Sequence, residues 1–214
     1  MPRWEGDAKA RLEEAALALY DLHGFEQTTI DEIADRAGLT KRTFFRHFSD
    51  KREVLFGDGA NEPDLFANAV LTAPASAGPL DAVGLGLAAM STHIDQHADL
   101  FARRFRIIRR SPELWERQLI KFTAIAEGFA RALRARGVGD PVAILAAETG
   151  ITVLRLASDR WLRRPGKRTL ESLVAEELGQ LRAIASAESG RGPGTLFEPP
   201  NRVQRKRSPT RQGF

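Results

Sequence analysis

The strongest constraint on the fold is the short segment between Thr29 and Thr40, in which one helix pattern ends in a sharp turn and a second begins. Thr29 and Glu32 have the spacing of a capping box, which fixes the start of the first helix. Gly38 supplies the left-handed backbone conformation that turns the chain, and Thr40 is a natural N-cap for the next helix. The segment therefore predicts two short helices that cross steeply, over residues 30–37 and 41–47.

Helical periodicity extends over almost the whole chain, because apolar residues recur at helical spacing and strand signals are nearly absent. We therefore predict an all-α fold with three parts: a helix-turn-helix domain over residues 1–52, a larger helical body over 53–188 and a basic disordered tail over 189–214. The predicted helices cover residues 7–23, 30–37 and 41–47, a fourth helix that begins near 51, and then 64–72, 80–97, 99–109, 112–136, 141–164 and 169–187.

The net charge of +4 is located almost entirely in the tail. From residue 189 onward, six Arg or Lys side chains stand against one Glu, whereas the preceding 188 residues carry 26 basic and 27 acidic side chains. The overall basic charge therefore does not by itself indicate nucleic-acid binding. The tail is rich in Gly, Pro, Arg and Ser, and we expect it to be disordered because it cannot bury enough apolar surface.

Several protein classes are excluded by what the sequence lacks. The chain contains no cysteine, which excludes disulfides and thiolate chemistry. No stretch approaches the roughly 18 apolar residues of a membrane span, and the N-terminus has no apolar signal-peptide core. The sequence shows no phosphate-binding glycine loop, no Ser or Thr nucleophile with a nearby His, and no paired carboxylates in apolar surroundings. We therefore expect a soluble cytoplasmic protein that is not an enzyme and has no membrane partner.

The helix predicted over residues 41–47 carries a cationic outer face. The run from Lys41 to Phe48 contains three permanent cations and no acid. Phe44 and Phe48 share the face that would anchor the helix to the core. Arg and Lys donate to guanine edges or phosphates, and Thr contacts a thymine methyl or a phosphate. The outward residues predicted to meet DNA are Lys41, Arg42, Thr43 and Arg46, with Lys51 placed for a phosphate. The alternative is a helical hairpin with a solvated basic face.

The segment from about Ala8 to Phe56 closely resembles the N-terminal domain of TetR-family repressors. The matching residues are Gly24, Phe25, Thr28, Thr29, Ile30, Ile33, Ala34, Ala37, Gly38, Leu39, Thr40, Thr43, Phe44, Phe45, Arg46, His47, Phe48 and Lys51. In that family the helix after the turn reads DNA, the aromatic residue at the Phe45 position and the following His contact phosphates, and the Lys51 position clamps the DNA backbone. The expected DNA contacts are Thr29, Thr40, Lys41, Arg42, Thr43, Phe45, Arg46, His47 and Lys51.

Two positions depart from the family pattern. The family usually has Tyr where Phe45 stands, so a hydroxyl–phosphate hydrogen bond is missing here. It often has Gly where Arg42 stands, so we expect Arg42 to add a base or phosphate contact particular to this chain.

The resemblance also implies a helical C-terminal body that dimerises through its last two helices. Small residues would let another helix approach closely: Ala143, Ala146, Ala147, Gly150 and Ala157. An apolar stripe follows on the last helix: Leu170, Leu173, Val174, Leu178, Leu181 and Ile184. Paired with their mates across a two-fold axis, these helices would form a four-helix interface. The alternative is that both stripes cover their own core.

The same resemblance implies a small-molecule effector in the body. Ligand sites are apolar with few polar groups. The residues predicted to line such a site are Met90, His93, His97, Phe101, Phe105, Trp115, Phe122 and Trp161, with Phe129 beside them. Aromatic residues at helical spacing also form plain core. His93 and His97 have a spacing that suits a metal, but no third ligand is evident, so no metal and no cofactor are predicted.

The arginine-rich stretch from Arg103 to Arg110 has two interpretations. Its five arginines in eight residues could hold a ligand carboxylate or phosphate, or they could form a solvated helix end. Residues 112–117 and Trp161 loosely resemble a TetR subgroup linked with acyl-CoA-like ligands. The sequence as a whole predicts a ligand-responsive repressor that binds a palindromic operator as a dimer. The alternative is a non-specific or architectural DNA-binding protein.

Overall fold

Helices account for nearly all of the residues that the computed structural model describes, which are 3–57, 62–163 and 167–189. The described residues contain ten helices and no strand: α1 Arg3–His23, α2 Ile30–Arg36, α3 Lys41–His47, α4 Glu53–Phe56, α5 Glu62–Leu71, α6 Pro79–Asp95, α7 Ala98–Arg110, α8 Pro112–Ala135, α9 Asp140–Arg163 and α10 Leu170–Ser189. This confirms the predicted all-α fold, with helix ends within a few residues of those expected. The basic tail predicted beyond residue 189 lies outside the described residues.

The chain divides into two units, Met1–Gly179 and Gln180–Phe214. Of the second unit, only the last turns of α10 are described. All contacts discussed below lie within the first unit.

The N-terminal helices pack on a core that also contains residues of the body. Leu12 from α1, Ile33 from α2 and Phe44 from α3 are buried together in one apolar cluster. The same cluster includes Ile107 and Leu114, which belong to α7 and α8. The apolar core therefore continues past residue 52 into the body.

Two glycines allow the body helices to pack closely around α6. A Cβ at Gly86 of α6 would lie 2.7 Å from Val70 Cγ2 of α5 and 3.0 Å from Phe129 Cζ of α8. A Cβ at Gly150 of α9 would collide with Val83 of α6. At both glycines, side chains of the neighbouring helices occupy the space that a side chain at that position would fill.

The small residues of α9 face the protein's own core. The alanines at 143, 146, 147 and 157 and the glycine at 150 are all buried within this single chain. On α10, Leu170, Leu173, Val174 and Leu178 are buried as well. The expectation that the small residues of α9 admit a partner helix is therefore wrong, because α6 and α8 of the same chain already occupy that side.

Helix α9 is also long and apolar enough, by composition alone, to cross a membrane. The expectation that no stretch approaches a membrane span is therefore wrong for this helix, by length and composition. Half of its most apolar window is buried inside the protein, as in the core helix of a soluble bundle.

We expect Gly86→Ala to lower the free energy of unfolding by about 1–3 kcal/mol, because the new methyl group overpacks the contact with Val70 and Phe129. Gly84→Ala on the same helix is the matched control, since its Cβ would meet only the flexible end of Leu178 at 3.1 Å. Urea unfolding of both variants measures the difference. A loss at Gly84 equal to that at Gly86 would contradict the packing described.

Candidate functional site

The first helix of the helix-turn-helix begins at the predicted capping box. The Thr29 hydroxyl accepts a hydrogen bond from the Glu32 backbone N–H at 3.2 Å, and the Glu32 carboxylate accepts one from the Thr29 N–H at 2.8 Å. The backbone hydrogen bond from Thr29, together with that from its hydroxyl, lowers the pKa of Glu32. Both groups are satisfied at the exposed start of α2.

The turn after α2 depends on Gly38, whose φ of 64° lies in the left-handed region. The Gly38 N–H donates to the Asp35 carbonyl, and the Leu39 N–H donates to the Ala34 carbonyl, each at 2.9 Å. These two bonds form a Schellman motif, which ends a helix and redirects the chain. Arg11 of α1 donates to the Ala37 carbonyl and holds the turn from outside, a role that sequence reasoning missed.

Helix α3 is anchored on one side and open on the other. Phe44 and Phe48 are buried in the core, with ring centroids 5.4 Å apart. The hydroxyl of the N-cap Thr40 accepts from the Thr43 N–H at 3.2 Å. Phe45, by contrast, is 50% exposed. The open side forms one shallow surface depression bordered by Thr40, Arg42, Thr43, Phe45 and Arg46.

The cations of α3 are held weakly or not at all. Lys41 pairs with Asp31 at 2.9 Å, but both side chains are more than half exposed, so solvent weakens the pair. Arg46 lies 3.5 Å from the His47 ring nitrogen. Arg42 is exposed and makes no hydrogen bond or ion pair with any described residue. The face therefore presents positive charge that is available to an anionic partner.

Lys51 is directed into the protein rather than outward. Its ammonium donates to the backbone carbonyls of Phe25 at 2.8 Å, Thr28 at 2.9 Å and Glu26 at 3.3 Å. It also lies over the Phe25 ring, 4.4 Å from the centroid. The Tyr20 hydroxyl donates to the Lys51 carbonyl at 2.7 Å, and burial raises the pKa of Tyr20 well above its usual range. In this structure Lys51 fixes the loop between α1 and α2, and a phosphate contact would need it to release those carbonyls.

Ion pairs tie the N-terminal helices to the body. Arg103 of α7 donates to Asp21 at 2.6 Å and to Glu14 at 3.0 Å, both on α1. Arg52 reaches Glu113 at the start of α8 at 3.1 Å. Part of the arginine-rich stretch is therefore neither a ligand site nor a solvated helix end, because its partners are acids on α1.

An apolar cavity of about 70 Å³ lies between α4 and the body helices. Five of the eight predicted ligand residues line it: Met90, His93, Phe101, Phe105 and Phe122. Trp115 instead lines an adjoining, smaller cavity. His97 is exposed at the junction of α6 and α7, and Trp161 is buried in the core and lines neither cavity.

The sequence analysis missed most of the polar residues of this cavity. Arg104, Gln118, Lys121 and Ser158 all line it. Arg104 had been considered only as part of the arginine run, and the other three sit singly among apolar neighbours, where no local pattern marks them. Within the described part of the chain, no group of three or more His, Asp or Glu side chains is arranged to hold a metal ion.

Two short helices joined by a tight turn, the second with an exposed basic face, are the architecture of a helix-turn-helix protein that binds DNA. Comparison with known proteins is consistent with this class. Residues 12–56 match the family model of bacterial regulatory proteins of the tetR family. The chain is 25% identical over 167 residues, 77% of its length, to 84% of a Mycobacterium tuberculosis protein provisionally named the mycofactocin biosynthesis transcriptional regulator MftR.

Solved structures share the fold. SmeT, the repressor of the Stenotrophomonas maltophilia multidrug efflux pump SmeDEF, is 20% identical with a TM-score of 0.57, over 83% of this chain and 91% of that one. FadR of Thermus thermophilus, solved in complex with lauroyl-CoA, is 22% identical with a TM-score of 0.52, over 81% and 93%. The likeness to the tetR family is carried by residues 12–56, and the curated relative is named as a transcriptional regulator.

We expect Lys51→Met to lower the free energy of unfolding by about 1–3 kcal/mol, because backbone carbonyls at the α1–α2 loop lose their donor. The salt dependence of DNA binding should stay unchanged, since the ammonium is not free to meet a phosphate. Lys41→Met is the matched control, and it should reduce the salt slope by about 1 with little effect on stability. A reduced salt slope for Lys51→Met would show a phosphate contact instead.

Proposed function

We propose that this regulator is a dimeric repressor that reads a palindromic operator with α3 and leaves it when a small molecule binds in the body. The observation that carries the proposal is the face of α3, where Arg42, Phe45 and Arg46 are exposed while Phe44 and Phe48 hold the helix rigidly in the core. Such a helix enters a major groove with its N-terminal residues towards the bases.

We further propose contacts for the individual side chains. Arg42 and Lys41 stand at the N-terminal end of α3, where donors to guanine edges or phosphates are needed. Phe45 and Arg46 follow as exposed residues, and Thr43 and His47 are half-buried beside them. Thr29 and Thr40 serve as caps, and their exposed positions would let them approach phosphates. Lys51 contributes by holding the loop in place.

Dimerisation through the last two helices remains our proposal, but with different residues from those expected. The outward side of α9 carries Val142, Leu145 and Leu156, all exposed in the single chain. Thr149 and Thr152 lie between them on the helix. An exposed apolar stripe of this kind marks a protein–protein contact. A two-fold pairing would set two α3 helices in successive major grooves, about 34 Å apart.

The cavity is the proposed effector site because of what surrounds it. Its walls include Leu55 and Phe56 of α4 and Arg104 and Ile108 of α7. Helix α4 directly follows the helix-turn-helix formed by α2 and α3, and α7 is bound to α1 through Arg103. A ligand that prefers a wider cavity would shift the population towards conformers with a different spacing of the two reading helices.

The effector class expected from the resemblance is acyl-CoA-like. Its support is the fold shared with a regulator solved in complex with lauroyl-CoA and the predominantly apolar lining of the cavity. A cavity of about 70 Å³ is well below the ordinary volume of a ligand site, so an acyl chain would have to open it.

Selection of bound sequences from random DNA by the full chain tests the reading of an operator. We expect enrichment of an inverted repeat. A non-specific or architectural binder, which was the alternative, would enrich no sequence and would bind all of them with strong salt dependence.

We expect Arg42→Ala to cost about 1–3 kcal/mol in binding at one position of the selected site, if Arg42 donates to a base there. Binding to sites already mutated at that position should change little. Competition binding with single-base operator variants measures this. Arg110→Ala, an exposed arginine of the body, is the control and should leave every variant unchanged. Equal weakening on all sequences would make Arg42 a phosphate contact.

We expect Leu145→Glu to convert the dimer to a monomer, because it places a charge in an apolar interface. Sedimentation at micromolar concentration measures the change. Ile120→Glu is the matched control, since Ile120 on α8 is 65% exposed and Leu145 is 69% exposed. A dimer that survives Leu145→Glu, or one that is lost with Ile120→Glu, would place the interface elsewhere.

A further inference from the structure

We propose that the effector is a small carboxylic acid with an apolar body, and that Arg104 binds its carboxylate inside the cavity. The inference rests on the proposed effector site and names its ligand class. The juxtaposition that leads to it is a set of polar side chains from three helices, α7, α8 and α9, which line one apolar cavity and include a buried guanidinium Nε without a hydrogen-bond acceptor among the described residues.

Arg104 is the central group. Its side chain is only 13% exposed, and its Nε is buried with no hydrogen-bond partner among the described residues. Glu13 of α1 is the acid paired with its guanidinium among the described residues, and it lies 3.5 Å from Nη2, which is longer than a charge-assisted hydrogen bond. A buried N–H of a cation without an acceptor is costly, and a bound anion would remove that cost.

Two further polar groups open onto the same space. Gln118 of α8 is 6% exposed, yet its amide makes no hydrogen bond with a described residue. Ser158 of α9 is 5% exposed and lines the cavity, and its hydroxyl makes no hydrogen bond with a described residue either. An amide N–H and a hydroxyl both donate, so together with Arg104 they offer donors to the oxygens of one acceptor group.

The charge of the cavity selects an anion rather than a neutral acceptor. Arg104 and Lys121 are both cations among its lining residues, and because Lys121 already donates to the Phe56 carbonyl at 3.4 Å, the selection of an anion rests on Arg104. A planar carboxylate matches the fork of a guanidinium. The remaining lining is largely aromatic and aliphatic, so the rest of the ligand has to be apolar.

A carboxylate ligand differs from the CoA thioester of the same acid. In the thioester the carboxylate is replaced by a neutral carbonyl, and the CoA phosphates stand far from the acyl group. The free acid therefore offers Arg104 a negative charge to bind, whereas the CoA thioester offers it only a neutral carbonyl oxygen.

The test compares acids with their own primary amides on the full chain, in the absence of DNA. The probes are benzoate, 4-phenylbutanoate and octanoate, each beside its amide, together with octanoyl-CoA. Calorimetric titration and ligand-dependent shifts in Tm report binding. We expect at least one acid to bind about 10-fold or more tightly than its amide, since hydrogen bonds to charged groups carry that difference.

Variants assign the preference to Arg104. Arg104→Gln should remove the advantage of the acid over the amide, and Arg104→Lys should keep part of it. Arg103→Gln is the matched control: it neutralises the neighbouring arginine, which pairs with Glu14 and Asp21 and does not line the cavity. It should leave acid binding unchanged. If Arg104→Gln does not fold, Gln118→Leu provides the second variant and should weaken the acid several-fold.

The proposal is overturned if no acid binds, if acid and amide bind equally, if octanoyl-CoA binds more tightly than octanoate, or if acid binding persists in Arg104→Gln. Release of operator DNA is measured separately. An acid that binds through Arg104 without affecting DNA would support the ligand assignment and contradict the effector role proposed above.

Discussion

The left-handed turn at Gly38 sets the angle between α2 and α3, and the placement of the exposed basic face of α3 depends on that angle. The turn closes two backbone hydrogen bonds, and Arg11 of α1 covers the Ala37 carbonyl from outside. An added side chain at Gly38 would suffer backbone strain and would also meet the Arg11 guanidinium at 2.8 Å. Burial of Phe44 and Phe48 then fixes the rotation of α3 about its axis, so that Arg42 and Arg46 are left facing outward.

Polar contacts connect the N-terminal helices α1–α4 to the helices of the body. Lys51 satisfies carbonyls of the loop between α1 and α2, Arg103 joins α7 to α1, and Arg52, the N-cap residue of α4, pairs with Glu113 of α8. The cavity is bordered by α4 and α7. A ligand in it would therefore contact the helices that connect α1–α3 to the body. In the proposed function, communication between the cavity and α3 needs only a small movement of these helices, because packed contacts have few intermediate arrangements.

The helix-turn-helix was predictable because its caps and its turn depend on residues close in sequence. The surroundings of Trp161 and Lys51 were not, because they depend on residues far away in the chain. The capping box at Thr29, the turn at Gly38 and the cap at Thr40 each act within a few residues, and α3 begins and ends as expected. Periodicity identifies the apolar face of a helix but not its depth, which is why Trp161 is core rather than cavity wall. The inward orientation of Lys51 depends on carbonyls more than twenty residues away, and no sequence pattern marks them.

The shared core has a consequence for the modularity of this regulator. Ile107, Ile108 and Leu114 belong to the apolar cluster beneath α1–α4. Part of the core of this N-terminal domain, α1–α4, is therefore supplied by side chains of the body. A fragment that ends after α4 would expose that apolar cluster to water and lose much of the apolar burial that keeps the domain folded. Exchange of operator specificity between regulators of this design therefore favours replacement of the outer face of α3 over grafting of a whole head, since the graft would also need matching surfaces on α7 and α8.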